Sequence, residues 1–195
     1  MTQSPSKAPV LTLDERHIYR LDGVEIPGVS EIIKDAGLSS FKDSCDPWYA
    51  DRGSKVHLAC QLWDEADLNE ESLDPHIVPY LEAWKKFLAE SDAKILANEQ
   101  MLHHPALLYA GTVDRILLID GQEFVCDIKT GGKYREYPIQ TAGYALLLER
   151  PVGRICVYLA KDGTYKTDLH RDRSDEQYFL AAYTVAQWKR NGGKP

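Results

Sequence analysis

The sequence predicts a mixed α/β domain, a central β-sheet flanked by helices. Three observations carry this. Residues 94–129 hold three apolar, β-prone runs separated by turn residues. Stretches with helical periodicity and recognisable start and stop signals lie on both sides of them. At 195 residues, with 44% hydrophobic and 27% charged side chains, the chain has the length and composition of one ordinary globular domain.

Taken in order, "MTQSPSKAPV" has no apolar signal core and reads as a flexible tail over residues 1–10, followed by a single domain over 11–195. "HIYRLDGVEIPGVSEIIKDAGL" reads as a hairpin turning at Asp22-Gly23 and then a short helix, with Ser30 as N-cap and Gly37 as C-cap. A helix is expected from about 47 to 65 with Pro47 in its first turn, and a second over "HIVPYLEAWKKFLAE". Strands are expected at about 94–103, 107–119 and 122–129. A basic, glycine-containing loop, "TGGKYREY", precedes a helix that Pro138 opens and that runs to about Arg150. "RICVYLA" and "TYKTDLH" form two more strands about a turn at Asp162-Gly163. A helix over about 175–190 closes the chain, with Ser174 as its N-cap and an aromatic face of Tyr178, Phe179, Tyr183 and Trp188 that is expected to pack on the core, with an interface over part of it as the alternative.

Composition bounds the function. No apolar run approaches the roughly 18 residues of a membrane span, and with no export signal the expected location is the cytoplasm. The four cysteines, at 45, 60, 126 and 156, form no CxxC pair, so no zinc ribbon or iron–sulfur cluster is expected, and buried, reduced thiols are. The formal net charge of −7 is unevenly spread: 11 Lys and Arg face 22 Asp and Glu up to residue 124, but 12 face 8 from residue 125 on. A basic C-terminal part can follow a phosphate backbone, although a solvated surface gives the same count.

The chemistry concentrates in "GTVDRILLIDGQEFVCDIKT". Asp120-Gly121 is a favoured two-residue type I′ turn. With those two as the loop, Ile119 pairs with Gln122, and counting back sets Asp114 opposite Asp127. Directly opposed residues of an antiparallel pair share a face, and Lys129, two residues on, shares it too. Like charges opposed across a ladder repel. A hard divalent cation, Mg2+ or Mn2+, relieves that, and a lysine beside it suits a phosphate. The plain alternative is an exposed hairpin face carrying ordinary charges; the flanking Val, Ile, Leu, Phe and Cys count against it.

These residues resemble the PD-(D/E)XK nuclease superfamily, in particular its RecB-like branch with the phage exonucleases. The pieces occur in the family's order. "RGSKVH" (52–57) resembles the RGxxxH helix, "GTVD" (111–114) the GxxD strand, "DIK" (127–129) the DxK, and "QTAGY" (140–144) the QxxxY helix. "YRLDGVEIPGVSEII" resembles a lead-in found in some members, with Gly28 where serine is usual. The resemblance covers roughly residues 17–160. It implies a restriction-endonuclease-like core. It also implies that His57, Asp114, Asp127 and the Ile128 carbonyl hold the metal. Lys129 then positions the attacking water, Gln140 and Tyr144 line the substrate side, and Glu99 sits near a second metal or supports Lys129. In "GGKYREY", Lys133 and Arg135 alternate with Tyr134 and Tyr137; basic groups contact phosphates and aromatic faces stack on bases. A solvated loop is the plain reading of the same residues, and a lone histidine such as His57 is more often structural.

The implied activity is a metal-dependent deoxyribonuclease, an exonuclease by preference, acting on single- or double-stranded DNA ends in replication, recombination or repair. The chain has no GxxxxGKS phosphate loop, so any NTP-driven motor belongs to a partner such as a helicase or recombination protein. Two other readings stand beside it: a non-catalytic nucleic-acid-binding or assembly protein on the same fold, and a metal-dependent hydrolase of small phosphate esters.

Overall fold

The computed structural model describes residues 8–40 and 47–193. Among them the elements run β1 (Leu11–Leu13), β2 (Tyr19–Leu21), β3 (Val24–Ile26), α1 (Val29–Ala36), α2 (Pro47–Asp64), α3 (Val78–Ser91), β4 (Lys94–His103), β5 (Ala110–Ile119), β6 (Gln122–Lys129), α4 (Tyr137–Leu147), β7 (Gly153–Leu159), β8 (Tyr165–Leu169) and α5 (Ser174–Arg190). The first three strands form a small antiparallel sheet. The other five form the central sheet in the order β4-β5-β6-β7-β8. Its only parallel pair is β6–β7, joined by α4 as the crossover, so the sheet is mixed as expected.

Two apolar layers cover the sheet. Val29, Ile32 and Ile33 of α1, Ala142 and Tyr144 of α4, and Phe179 and Ala182 of α5 pack with Val113, Ile116 and Val125. Val56 and Cys60 of α2 and Leu81, Trp84 and Phe87 of α3 pack with Leu117, Cys126, Ile128 and Val157. Val125 and Cys126 thus serve opposite layers, as strand alternation requires. Cys60, Cys126 and Cys156 are buried and free; Cys45 lies outside the described residues.

Several boundaries differ from the sequence reading, each for a physical reason. Gly28, not Ser30, caps α1, because the Glu31 carboxylate accepts the Gly28 N–H at 3.2 Å; Ser30 falls inside the first turn. β1 has no counterpart in the sequence reading. It extends the β2–β3 hairpin, and next to it Val10 donates to the Asp22 side chain at 2.9 Å. Of the expected tail, residues 1–7 lie outside the described residues. β5 begins at Ala110 rather than 107, because His104 takes the Leu107 and Leu108 N–H groups in a turn that leaves Leu108 at φ 52°. α4 ends at Leu147, short of Glu149 at φ 51° and of Pro151. α5 includes Ser174, whose N–H is accepted by Asp172, and its aromatic face divides: Phe179 is buried, but Tyr178 and Trp188 are about half exposed.

One contact fixes α4 against α5. A Cβ at Gly143 would stand 2.5 Å from the ring of Phe179, which is wholly buried. Gly143→Ala gains roughly 1 kcal/mol of helix propensity but overpacks a filled site at a cost of about 1–3 kcal/mol. We expect a net loss of up to about 2 kcal/mol in urea unfolding; a raised midpoint would show that the two helices separate easily.

Candidate metal centre and active site

The site grows from the turn between β5 and β6. Asp120 and Gly121 both have positive φ, 49° and 76°, the signature of a type I′ turn. The ladder then pairs Ile119 with Gln122 and runs to Arg115 with Cys126. The next step in that register is Asp114 and Asp127, both buried. Asp114 Oδ2 accepts the Ile128 N–H at 2.7 Å. The strands are irregular here. Val113 and Ile116, three residues apart, lie in the same apolar cluster, so the alternation of faces slips between them. On the neighbouring strand β4 a bulge falls between Ile95 and Ala97, and Glu99 stands at φ 42°. Such a backbone costs on the order of 1–3 kcal/mol and persists where its surroundings hold it. Irregularities of this kind re-aim side chains.

They bring three candidate ligands together. His57, Glu99 and Asp114 offer ligand atoms that all lie within 4.8 Å of one another. His57 Nδ1 is 3.4 Å from Asp114 Oδ2. It reaches there because Val56 and Cys60, on its own turn of α2, are buried against the sheet. Two carboxylates and an imidazole around a point that one cation can reach suit a divalent ion with mixed oxygen and nitrogen ligands. A shallow depression of about 380 Å³ lined by Gly53, Ser54, His57, Leu58, Gln61 and Glu99 opens onto them. A larger cavity, about 800 Å³ around Phe124, Val152 and Leu169, contains none of these side chains, so the candidate site lies at the smaller one.

Asp127 does not join that trio. Its Oδ2 lies 2.6 Å from Lys129 Nζ and accepts from the Cys156 thiol at 3.6 Å. Burial pushes the Asp127 carboxyl up, against the pull of Lys129. Burial works against the Lys129 ammonium, but Asp127 and Asp114 outweigh it and keep the lysine charged. Lys129 also donates to Gln140 Oε1 at 3.1 Å and lies 4.3 Å from the centre of the Tyr137 ring. Gln140 in turn donates to Ser30 Oγ at 3.0 Å and to the Tyr144 hydroxyl at 3.3 Å. Gln140 and Tyr144 therefore share the face of α4 that meets the lysine, as their spacing requires.

The glycine loop is tethered at its start. Arg52 donates to the Thr130 carbonyl at 2.8 Å and stacks against Trp48, Tyr49 and Tyr80, which ties the RG of α2 to the end of β6. Lys133 pairs with Asp168 at 2.5 Å, and Tyr134 meets Tyr137 edge-on at 5.4 Å. Arg135 is exposed.

The sequence reading passes over Arg115, Asp64 and Trp84. Arg115 is wholly buried beside Asp114; its Nε donates to Asp64 Oδ2 at 2.6 Å and its Nη1 to Glu99 Oε1 at 3.1 Å. Trp84 Nε1 donates to the other Asp64 oxygen at 2.8 Å. The available signal was an arginine set inside an apolar strand, "VDRILLI".

LHK-Exo in complex with dAMP matches at a TM-score of 0.50 and 14% identity, over 86% of this chain and 88% of that one. The fold is the one solved for LHK-Exo. A second structure of that protein, an alkaline exonuclease from Laribacter hongkongensis, matches at a TM-score of 0.43 with 14% identity, over 85% of this chain and 92% of its own. SSO0001 follows at 0.37 and 15%, over 82% and 85%. No family model and no curated protein sequence matches the chain. No helix among the described residues is long and apolar enough to cross a membrane.

Glu99 gives the site a measurable pH response. Burial, then the charge of Asp114, push its carboxyl up from 4.5 to about 7, against His57 and Arg115. The folded protein thus binds this proton more tightly than the unfolded chain does. Glu99 therefore subtracts stability as pH rises from about 4.5 through 7. In EDTA, the thermal midpoint of Glu99→Gln should fall less over that window than that of the wild type; parallel slopes would contradict the assignment.

Proposed function

We propose that this protein is a Mg2+- or Mn2+-dependent deoxyribonuclease, an exonuclease that hydrolyses phosphodiester bonds at DNA ends in recombination or repair. One observation carries the reading: a buried Asp127–Lys129 pair lies against a cluster of His57, Glu99 and Asp114. The fold shared with an alkaline exonuclease supports it.

His57, Glu99 and Asp114 would hold the cation, with Asp127 and the Ile128 carbonyl beside them. A divalent ion there supplies a lowered water pKa and neutralises a non-bridging phosphate oxygen. The rest is done by the chain. Lys129, kept charged by Asp127, presents an ammonium to the phosphate and to the negative charge that grows on it. Gln140 and Tyr137 hold that ammonium in place, and Tyr144 fixes the Gln140 amide. Lys133, Tyr134 and Arg135 follow directly on the loop, where exposed basic and aromatic groups meet the strand. No covalent nucleophile is required: burial pushes the Cys126 and Cys156 thiols up, so both stay protonated.

The test uses end-labelled linear DNA and closed circular DNA in Mg2+, Mn2+ or EDTA. Metal-dependent loss of linear DNA alone is expected. Asp127→Ala should abolish it. Lys129→Met should lower the rate by roughly 100-fold or more while the folded protein still binds Mn2+. Cutting of circles would make the enzyme an endonuclease. A Lys129→Met variant as active as the wild type would remove the lysine from the chemistry.

A further inference from the structure

A wholly buried arginine is a costly residue. An apolar side chain of similar size would fill the space beside Trp84 without removing a charge from water. Arg115 also leaves its Nη2 without a hydrogen bond, so the arrangement is not the one that stability alone would select.

Its contacts explain what it does. Nε binds Asp64, the last residue of α2, the helix that carries His57. Nη1 binds Glu99 of β4 and, at 2.5 Å, the carbonyl of Asp114 on β5. One guanidinium therefore joins the three elements that carry the three ligands. Trp84 locks Asp64 from α3, so the anchor is itself fixed. Glu99 needs such a hold, because its backbone sits at φ 42° and its ladder neighbours, Asn98 and Gln100, pair to either side of it with Arg115 and Val113. A planar fork is suited to this task, as a lysine ammonium is not. Arg115 occupies Oε1 of Glu99 and leaves the second oxygen for a cation.

We propose that Arg115 is the positioning residue of the metal centre: anchored by Asp64, it holds the Glu99 carboxylate in place beside His57 and Asp114. The proposal rests on the metal-dependent reading above and names a residue that the motifs do not contain.

The test reads metal binding directly. Free Mn2+ is counted by electron paramagnetic resonance while the folded protein is titrated, with circular dichroism confirming the fold. Arg115→Lys should bind Mn2+ about 10- to 100-fold more weakly than the wild type. In a Glu99→Gln background the same change should alter affinity by no more than about twofold, since Arg115 acts through Glu99. Asp64→Asn, a milder change at the far end of the relay, should weaken binding in the same Glu99-dependent way, and serves if Arg115 variants fail to fold. Normal Mn2+ binding by Arg115→Lys, or an equal loss in both backgrounds, overturns the proposal alone. No Mn2+ binding by the wild type overturns it together with the metal-dependent reading.

Discussion

The constraint on which the rest depends is the register of one hairpin. Two residues with positive φ at Asp120 and Gly121 leave β5 and β6 a single way to pair. A slip of one residue would exchange the two faces of β6 relative to β5. It would carry Val125 and Cys126 each into the wrong apolar layer. The two layers thus enforce the register that the turn starts, and Asp114 and Asp127 come next after its last pair, Arg115 with Cys126. Like charges placed there have to be compensated. Asp127 is compensated by Lys129, and Asp114 by the Ile128 N–H and its proximity to His57.

The crossover completes the arrangement. A parallel neighbour for β6 requires a connection that passes over the sheet, and α4 makes it. Its path lays Gln140 and Tyr144 over the end of β6, so the connection that satisfies the topology also holds the lysine. α1 meets the same point through Ser30, and α2 through Arg52 and the Thr130 carbonyl. The site is thus a junction of elements from distant parts of the sequence, with Glu99, whose φ is positive, held by Arg115.

What the sequence made legible follows from the range of each interaction. The Asp120-Gly121 turn, the strand at 94–103 and the ends of α2 rest on local signals and fall where expected. So does the proximity of Asp114 to Asp127, because a two-residue turn converts counting into geometry. The start of α1 was misplaced because the Ser30 hydroxyl is engaged by Gln140, 110 residues away. β1 escaped notice because its three residues gain their strand character only from pairing with β2. Arg115 and Asp64 escaped for the same reason. The apolar strand around Arg115 is a local sign of its burial, but the partner that the burial requires lies 51 residues upstream. Lys133 reads as a free basic group in the sequence, yet Asp168, across the sheet from Cys156, takes it up.

The two partners of β6 arrive at different times. β5 is joined to it by two residues, and a hairpin of this kind closes in about 1–10 μs. β7 reaches it only after α4 has been laid down, and pairings distant in sequence form later than local ones. Cys156 travels on β7 and Gln140 on α4, so the acids come together before either is there to steady Asp127 and Lys129. A folding order set by sequence separation would therefore leave the charged centre open to water until the crossover docks.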